Sequence, residues 1–323
     1  MDFTALRYFF EAAQTGSIRQ AAEHVHVAPS AISRQIAKLE HEVGARLLER
    51  RANGVRLTPA GELLAAQLQI TMRDLSRIRG QINELKGLRR GQVVVHCIEG
   101  LVEGFLTTAL KKFNRAHPDI TFQITVGSTD SIIDALVKDE ADIGIAMNAQ
   151  SRPEIASIGG WPEPLQAVIS LNHPLANRKS LSLNELRAYP VVLPDRSFGV
   201  RRLVERNLLK TSQPLSIAVT TNSIMATLSV ARQGIAWTLM PPFAVGRDIA
   251  GGTISAIPLE DSDLEPALVE ICMHRVRRLP LAATTFLQTL LRELPPGSWT
   301  AGGLSDEHEA TEAELAMDRQ AYP

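Results

Sequence analysis

Ser17 and Gln20, followed by Pro29, Ser30, Ser33, Arg34, Gln35 and Lys38, have the types and spacing of groups that work at a surface. Ser17 with a glutamine three residues on spells a capping box, in which Ser17 takes the third helical amide and Gln20 returns to the Ser17 amide. This predicts a helix through His24, a corner over Val25, His26 and Val27, and a second helix from Pro29 to about Val43. A proline at the first helical position loses no hydrogen bond. Ile32, Ile36, Leu39 and Val43 recur at helical spacing, which turns Ser30, Ser33, Arg34, Gln35 and Lys38 away from the core. A guanidinium fits guanine O6 and N7, an amide fits adenine, and hydroxyls and ammonium groups hold phosphates. The pattern reads as a helix-turn-helix whose second helix enters a DNA groove. An ordinary helical hairpin with a solvated polar face has the same corner.

The flanks separate the two readings. Leu6, Phe9, Ala12 and Ala13 predict an amphipathic first helix that roofs a three-helix core. Residues 45–57 predict a β-hairpin, with Leu47 and Leu48 on one arm, Val55 and Leu57 on the other, and Asn53-Gly54 at the turn. Arg46, Arg50, Arg51 and Arg56 decorate this hairpin, giving a basic wing beside the recognition helix. Fourteen Lys and Arg stand against nine Asp and Glu through residue 90, and twenty against twenty-six thereafter. The net charge of −1 thus hides a basic N-terminal part, and phosphate neutralisation needs local charge.

The run LRYFFEAAQTGSIRQAAEHVHVAPSAISRQIAKLEHEVGARLLERRANGVRLTPAG resembles the N-terminal domain of LysR-type transcriptional regulators over residues 3–61. It departs from that pattern at Ala28, where the family has a small hydroxyl residue as the cap of the recognition helix. The loss is worth about 1 kcal/mol, and Pro29 compensates in part by fixing the first turn.

From the N-cap Thr58 and Pro59 a long helix extends to Gly87 without a strong breaker. Leu68, Leu75 and Ile82 repeat every seven residues, and Leu64, Thr71, Ile78 and Leu85 form the companion set, the a/d seam of a coiled coil. A helix laid on its own domain has the same periodicity. The resemblance implies dimerisation through this linker and further pairing to a tetramer, and two recognition helices one groove repeat apart suit a pseudo-palindromic double-stranded DNA site.

Beyond Arg89-Arg90-Gly91 the periodicity changes. Strands over 92–98, 121–126 (Phe122, Ile124 and Val126 inward) and 142–146 alternate with helices over 103–116 and 131–138, a βαβαβ unit with a parallel sheet. A second set follows, with strands at 165–170, 191–193 and 217–220 and helices at 201–209 and 224–233. A return strand over 267–274 and a closing helix over 282–294 complete a hinged two-part α/β domain with a cleft at the strand ends. His117-Pro118, Ala141-Asp142-Ile143-Gly144-Ile145, His173-Pro174-Leu175-Ala176, Leu183, Leu186, Pro190 and Gly234-Ile235-Ala236 resemble landmarks of the LysR-type effector domain, with Arg232 where the family has a glycine. The resemblance implies a periplasmic-binding-protein-like (type 2) fold in two subdomains.

The expected organisation is therefore a helical winged helix-turn-helix domain over 1–58, a linker and dimerisation helix over 59–90, and an effector domain over 91–296. Its subdomain I comprises 91–161 and 267–296 and its subdomain II 162–266, and a flexible acidic tail over 297–323 follows. Loops after strand ends nominate Glu99, Gly100, Ser128, Thr129 and Asn148 from one subdomain and Phe198, Arg201, Thr221 and Asn222 from the other as contacts of a small polar organic effector. Ser128 and Thr129 lead that set; Arg201 suits an anion, Glu99 an amine, and both together a zwitterion.

Other chemistry is not supported. His96-Cys97 and Cys272-Met273-His274 lie on strands, where successive residues face opposite ways, so adjacent residues do not offer two ligands to one side and no metal site is expected. No catalytic triad order, Walker loop or dinucleotide fingerprint sits in its strand-turn-helix context, which argues against an enzyme and a cofactor. Trp161 and Trp237 read as core or hinge residues and the two cysteines as reduced core thiols. There is no secretory leader pattern or apolar run of spanning length, so the expected location is the cytoplasm. The competing reading is a cytoplasmic solute-binding protein or enzyme that uses its N-terminal helices to dimerise; the arginine-bearing wing argues against it.

Overall fold

The computed structural model describes residues 1–51, 54–85, 91–209, 215–260 and 265–301. The chain forms two units, Met1–Lys86 and Gly87–Pro323. In the first, α1 (Phe3–Thr15), α2 (Ile18–His24) and α3 (Pro29–Val43) enclose a core, and the hairpin β1 (Leu48–Arg51) and β2 (Gly54–Leu57) follows. Asp2 caps α1, and Gly16 (φ 62°) ends it in the left-handed conformation that glycine adopts without strain. Only half of the expected capping box forms on α2. Ser17 Oγ accepts from the Gln20 amide at 3.4 Å, whereas the Ser17 amide donates to Thr15 Oγ1, 3.4 Å, so Gln20 is left free of the return bond. Ala28 caps α3 without a side-chain bond, as its type requires.

Phe9, Ile32, Leu39 and Leu47 are fully buried in this core, worth roughly 1.5–3 kcal/mol each. Val43, expected inside, is exposed because α3 has by then run past the roof that α1 provides. The Glu40 carboxylate accepts from the amides of Leu47 and Leu48 at 2.7 and 3.1 Å and so ties the wing to α3. Thr58 caps α4 (Pro59–Leu85) through the Gly61 amide at 3.0 Å and donates to Arg46 O, 2.7 Å.

The second unit is built on a six-stranded sheet. Its strands in chain order are β3 (Gly91–Cys97), β4 (Ile120–Val126), β5 (Ile143–Met147) and β6 (Ile155–Glu163), with β12 and β13 added later. Helices α5 (Glu99–Leu101), α6 (Thr107–Ala116) and α7 (Thr129–Val137) connect them. Then β7 (Gln166–Ser170), α8 (Leu183–Leu186), β8 (Val191–Pro194), α9 (Gly199–Leu209), β9 (Ile217–Thr221), α10 (Ile224–Arg232), β10 (Thr238–Met240), α11 (Gly246–Ala250) and β11 (Ile254–Pro258) make the second subdomain. The chain returns through β12 (Ala267–His274), α12 (Leu281–Arg292) and β13 (Trp299–Thr300).

The large sheet runs β4-β3-β5-β12-β6-β13; its β4, β3 and β5 are parallel and the remainder antiparallel. The second subdomain holds an antiparallel β10-β7-β11 sheet and a parallel β8-β9 pair.

Several expectations need correction. Ile124 and Val126 are exposed, because β4 is the sheet's edge strand and its cover ends near the half-buried Phe122. The helix expected from Glu103 begins at Thr107: Glu103 is extended and Gly104 has φ 92°, which breaks the helical path. The sheet is mixed rather than parallel, since β6 and β13 were not foreseen. Trp299 and Thr300, assigned to the tail, pair with Gly160 and Gly159 of β6, so the packed domain reaches past residue 296; residues 302–323 lie outside the described residues.

Both cysteines are buried and free, and burial pushes the Cys97 thiol far up and that of Cys272 to about 12. Trp161 and Trp237 are core residues; the Trp237 indole donates to Tyr189 O at 3.1 Å. Arg232 pairs with Asp248 at 3.3 Å. Among the described residues no helix is long and apolar enough to cross a membrane, and no cluster of metal-ligating side chains occurs.

Candidate nucleic-acid interface and ligand cleft

Burial of Ile32, Ile36 and Leu39 sets the rotation of α3, and its other side follows. Ser30, Arg34 and Lys38, each four residues from the next, form an exposed stripe, with Pro29 exposed at its head and Ser33 half-buried beside it. Arg34 Nε lies 3.4 Å from Ser30 O, so the guanidinium folds toward the N-terminal end of α3. Gln35 departs from expectation: its Oε1 is buried without a partner, so it presents no carbonyl to a base edge. Ser17 is half-buried as a cap.

On the wing, Arg46, Arg51 and Arg56 are exposed. Arg51 meets Glu49 at 3.3 Å, a surface pair worth little that a phosphate can replace. Arg50 pairs with Val55 in the ladder; its side chain is outside the described residues.

The linker stripe divides in two. Leu68 is buried in the core of its own unit, which removes it from an intermolecular seam, and Leu64 is half-buried against that core. Leu75 and Ile78 are exposed apolar residues further along the same helix. The side chains of Ile82 and Leu85 lie outside the described residues.

In the second unit a cleft between the subdomains consists of two adjoining cavities that share Glu99, Phe198 and Ile224. The inner one, about 30 Å³, is mostly apolar and adds Gly100, Met147, Met240 and Phe243. The outer one, about 350 Å³, is polar, with Ser128, Asp195, Ser197, Asn222 and Ser223. A Cβ on Gly100 would approach two Phe243 ring carbons to 2.9 Å, so the small residue lets that ring close over the inner cavity.

Four nominated residues do other work. Thr129 borders the inner cavity, but its hydroxyl donates to Met147 O at 2.9 Å and accepts from the Gly199 amide at 3.2 Å, joining the two subdomains. Nearby Asp130 donates its amide to Ser197 O and its carboxylate meets Arg202 at 2.7 Å. A Cβ at Gly199 would come within 1.6 Å of Met147 O, a measure of how close the two backbones run there. Arg201 is buried and turned from the cleft, toward Glu205 at 2.8 Å and Pro194 O at 3.3 Å. Burial tends to raise the Glu205 carboxyl, but hydrogen bonds from Arg201 and Arg196 prevail and lower it.

Asn148 (φ 50°) accepts from the Leu268 amide at 2.9 Å and, through its carbonyl, from Arg202 at 3.2 Å. Thr221 holds the Ser223 amide at 3.3 Å and the Asp195 amide at 2.9 Å. Neither lines the cleft.

Residues overlooked in the sequence are Asp195, Ser197 and Ser223 outside and Met240 and Phe243 inside. Ser223 carried a signal, as a serine N-cap before the apolar helix α10, and its Oγ accepts from the Ala226 amide at 3.2 Å.

Known proteins share this arrangement. The family model "Bacterial regulatory helix-turn-helix protein, lysR family" matches residues 3–62, and "LysR substrate binding domain" matches residues 86–295. The chain belongs to the LysR family. This LysR-family chain is 28% identical over 295 residues to the transcriptional dual regulator GltC of Bacillus subtilis, covering 90% of this chain and 97% of that protein. It is 27% identical over 285 residues to the HTH-type transcriptional regulator IlvY of Escherichia coli, covering 86% and 94%.

Its fold matches that of full-length CbnR complexed with target DNA, with a TM-score of 0.69 and 20% identity over 91% of this chain and 100% of that one. It also matches the effector-binding domain of QuiR in complex with shikimate, with a TM-score of 0.58 and 20% identity over 63% of this chain and 96% of that domain. The LysR-family chain is thus a DNA-binding transcriptional regulator with a small-molecule effector domain, and not an enzyme.

Proposed function

We propose that the exposed Ser30, Arg34 and Lys38 stripe of α3 reads a promoter site in the major groove while Arg50, Arg51 and Arg56 of the wing hold phosphates or the minor groove. The observation that carries this reading is the stripe itself: three groups suited to bases and phosphates stand clear of a core that fixes their direction. Ser17, Pro29 and Ser33 support the reading helix from its cap and first turns, and Gln35 serves it through its amide nitrogen.

Leu75 and Ile78, with Ile82 and Leu85 continuing their register, pair two copies, so that two α3 helices address a pseudo-palindromic site in cytoplasmic DNA. The subdomain cleft takes a small polar organic effector, with no metal or cofactor. Glu99, Gly100, Ser128, Phe198 and Asn222 stay in its contact set, whereas Thr129, Asn148, Arg201 and Thr221 hold the walls in place.

Footprinting of the full-length protein on DNA upstream of its own gene and its neighbours tests this function. The expected result is a protected pseudo-palindrome whose affinity falls with salt. Replacing Arg51 or Arg56 by alanine should reduce the slope of that dependence by about one each and weaken all sequences alike. Equal binding of every sequence, indifferent to α3 substitutions, would rule the reading out.

A further inference from the structure

The charge of the cleft restricts its ligand more than its shape does; this step rests on the cleft being the effector site. Among the described residues, the lining of both cavities contains the carboxylates of Glu99 and Asp195 and no lysine, arginine or histidine. The nearby cations are held elsewhere: Arg196 and Arg201 by Glu205 at 3.3 and 2.8 Å, and Arg202 by Asp130 at 2.7 Å. Asp195 Oδ1 accepts from the amide and hydroxyl of Ser197 at 2.9 and 2.6 Å, two neutral donors that leave its negative charge uncompensated.

The helix ends at the rim offer an anion little. Ser128 Oγ takes the Ser131 amide of α7 and Ser223 Oγ takes the Ala226 amide of α10, and the Asp130 amide of α7 is held by Ser197 O. A carboxylate ligand would therefore meet two like charges without a counter-ion. An ammonium would meet a carboxylate and, at Phe198, an aromatic side chain whose ring attracts cations.

We propose that the effector is a small organic cation with its ammonium group at Glu99, where the two cavities join. Its aliphatic or aromatic body lies in the outer cavity against Phe198 and Ile224, and any hydroxyls lie among Ser128, Ser197 and Asn222.

Calorimetric titration of the full-length protein with n-hexylammonium and n-hexanoate, probes of equal length and opposite charge, tests this. Wild-type protein should bind the ammonium at least about tenfold more tightly than the carboxylate, and Glu99→Gln should erase that preference. Glu99 is exposed, so the melting temperature of this variant should match the wild type and show that it folds. Tighter binding of hexanoate, equal binding of both, binding of neither, or a preference for the ammonium that survives in Glu99→Gln overturns the proposal. Hexanoate binding that disappears in Phe198→Ala would overturn the charge assignment and leave the cleft as effector site. Binding of either probe that neither substitution alters would overturn the cleft assignment itself.

Discussion

The two units expose their working groups in opposite ways. In the N-terminal unit a single helix supplies both the core contacts, Ile32, Ile36 and Leu39, and the outward groups Ser30, Arg34 and Lys38. In the effector unit the cleft is assembled from five separate stretches around residues 99, 128, 197, 223 and 243, and many of its polar groups are spent on the fold. A helix face is a local property, whereas a cleft belongs to the packing of two subdomains. Arg34 and Arg201 show the contrast: Arg34 is exposed, and Arg201, also on a helix, is buried against Glu205.

Four measurements sharpen or break this comparison. The largest effect is expected at Leu75, whose replacement by aspartate places an unpaired charge in the dimer seam and costs about 3 kcal/mol or more of association. Sedimentation velocity should show monomer, and an intact dimer would return α4 to the role of a helix serving only its own unit. Arg34→Ala should cost about 1–3 kcal/mol at the cognate site and relax its sequence preference, read by fluorescence anisotropy against matched and mismatched duplexes.

In the effector unit, Thr129→Val removes a buried hydroxyl with two partners. Urea unfolding should report a loss of about 1–3 kcal/mol there, with DNA affinity at the cognate site unchanged in the absence of effector. A variant as stable as the wild type would mean that the hydroxyl does not clasp the subdomains.

The smallest effect concerns Glu270, half-buried on β12, where burial raises the carboxyl against an opposing hydrogen bond from the Ala149 amide. A raised folded value means that the native state holds this proton more tightly. Its stabilising contribution is present below the unfolded carboxyl value and is lost as the pH rises through the folded one. Glu270→Gln should therefore melt higher than the wild type at pH 7, by less than about 1 kcal/mol, and match it near pH 4. A variant less stable than the wild type at pH 7 would show that the ionised carboxylate is needed.

Much of the fold was legible where periodicity and punctuation agree. Pro29 and Gly44 bracket α3, and the strand-helix alternation from β3 to β5 could be read directly. The strand β6 could not, because Gly159, Gly160 and Pro162 look like breakers. Its glycines are there for close approach: a Cβ on Gly160 would meet Val269 O at 2.2 Å, and one on Gly159 would lie 2.9 Å from a Leu291 methyl carbon. The strand is stable only between β12 and β13, partners that come from more than a hundred residues further along. The same distance in sequence hid Phe243, which follows the unforeseen three-residue β10.

The sequence by itself determined the helix-turn-helix, the wing, the linker helix and the two-part α/β plan, because each rests on contacts within a few turns or on alternation along one strand. Only the tertiary structure decided which half of the linker stripe is already covered by its own domain, which cations are neutralised before a ligand arrives, and which hydroxyls remain for it. Those outcomes depend on partners such as Asp130, Met147 and Leu268, brought within hydrogen-bond distance by packing. A polar group that has found such a partner in the fold is no longer available to a ligand, whatever its position after a strand suggests.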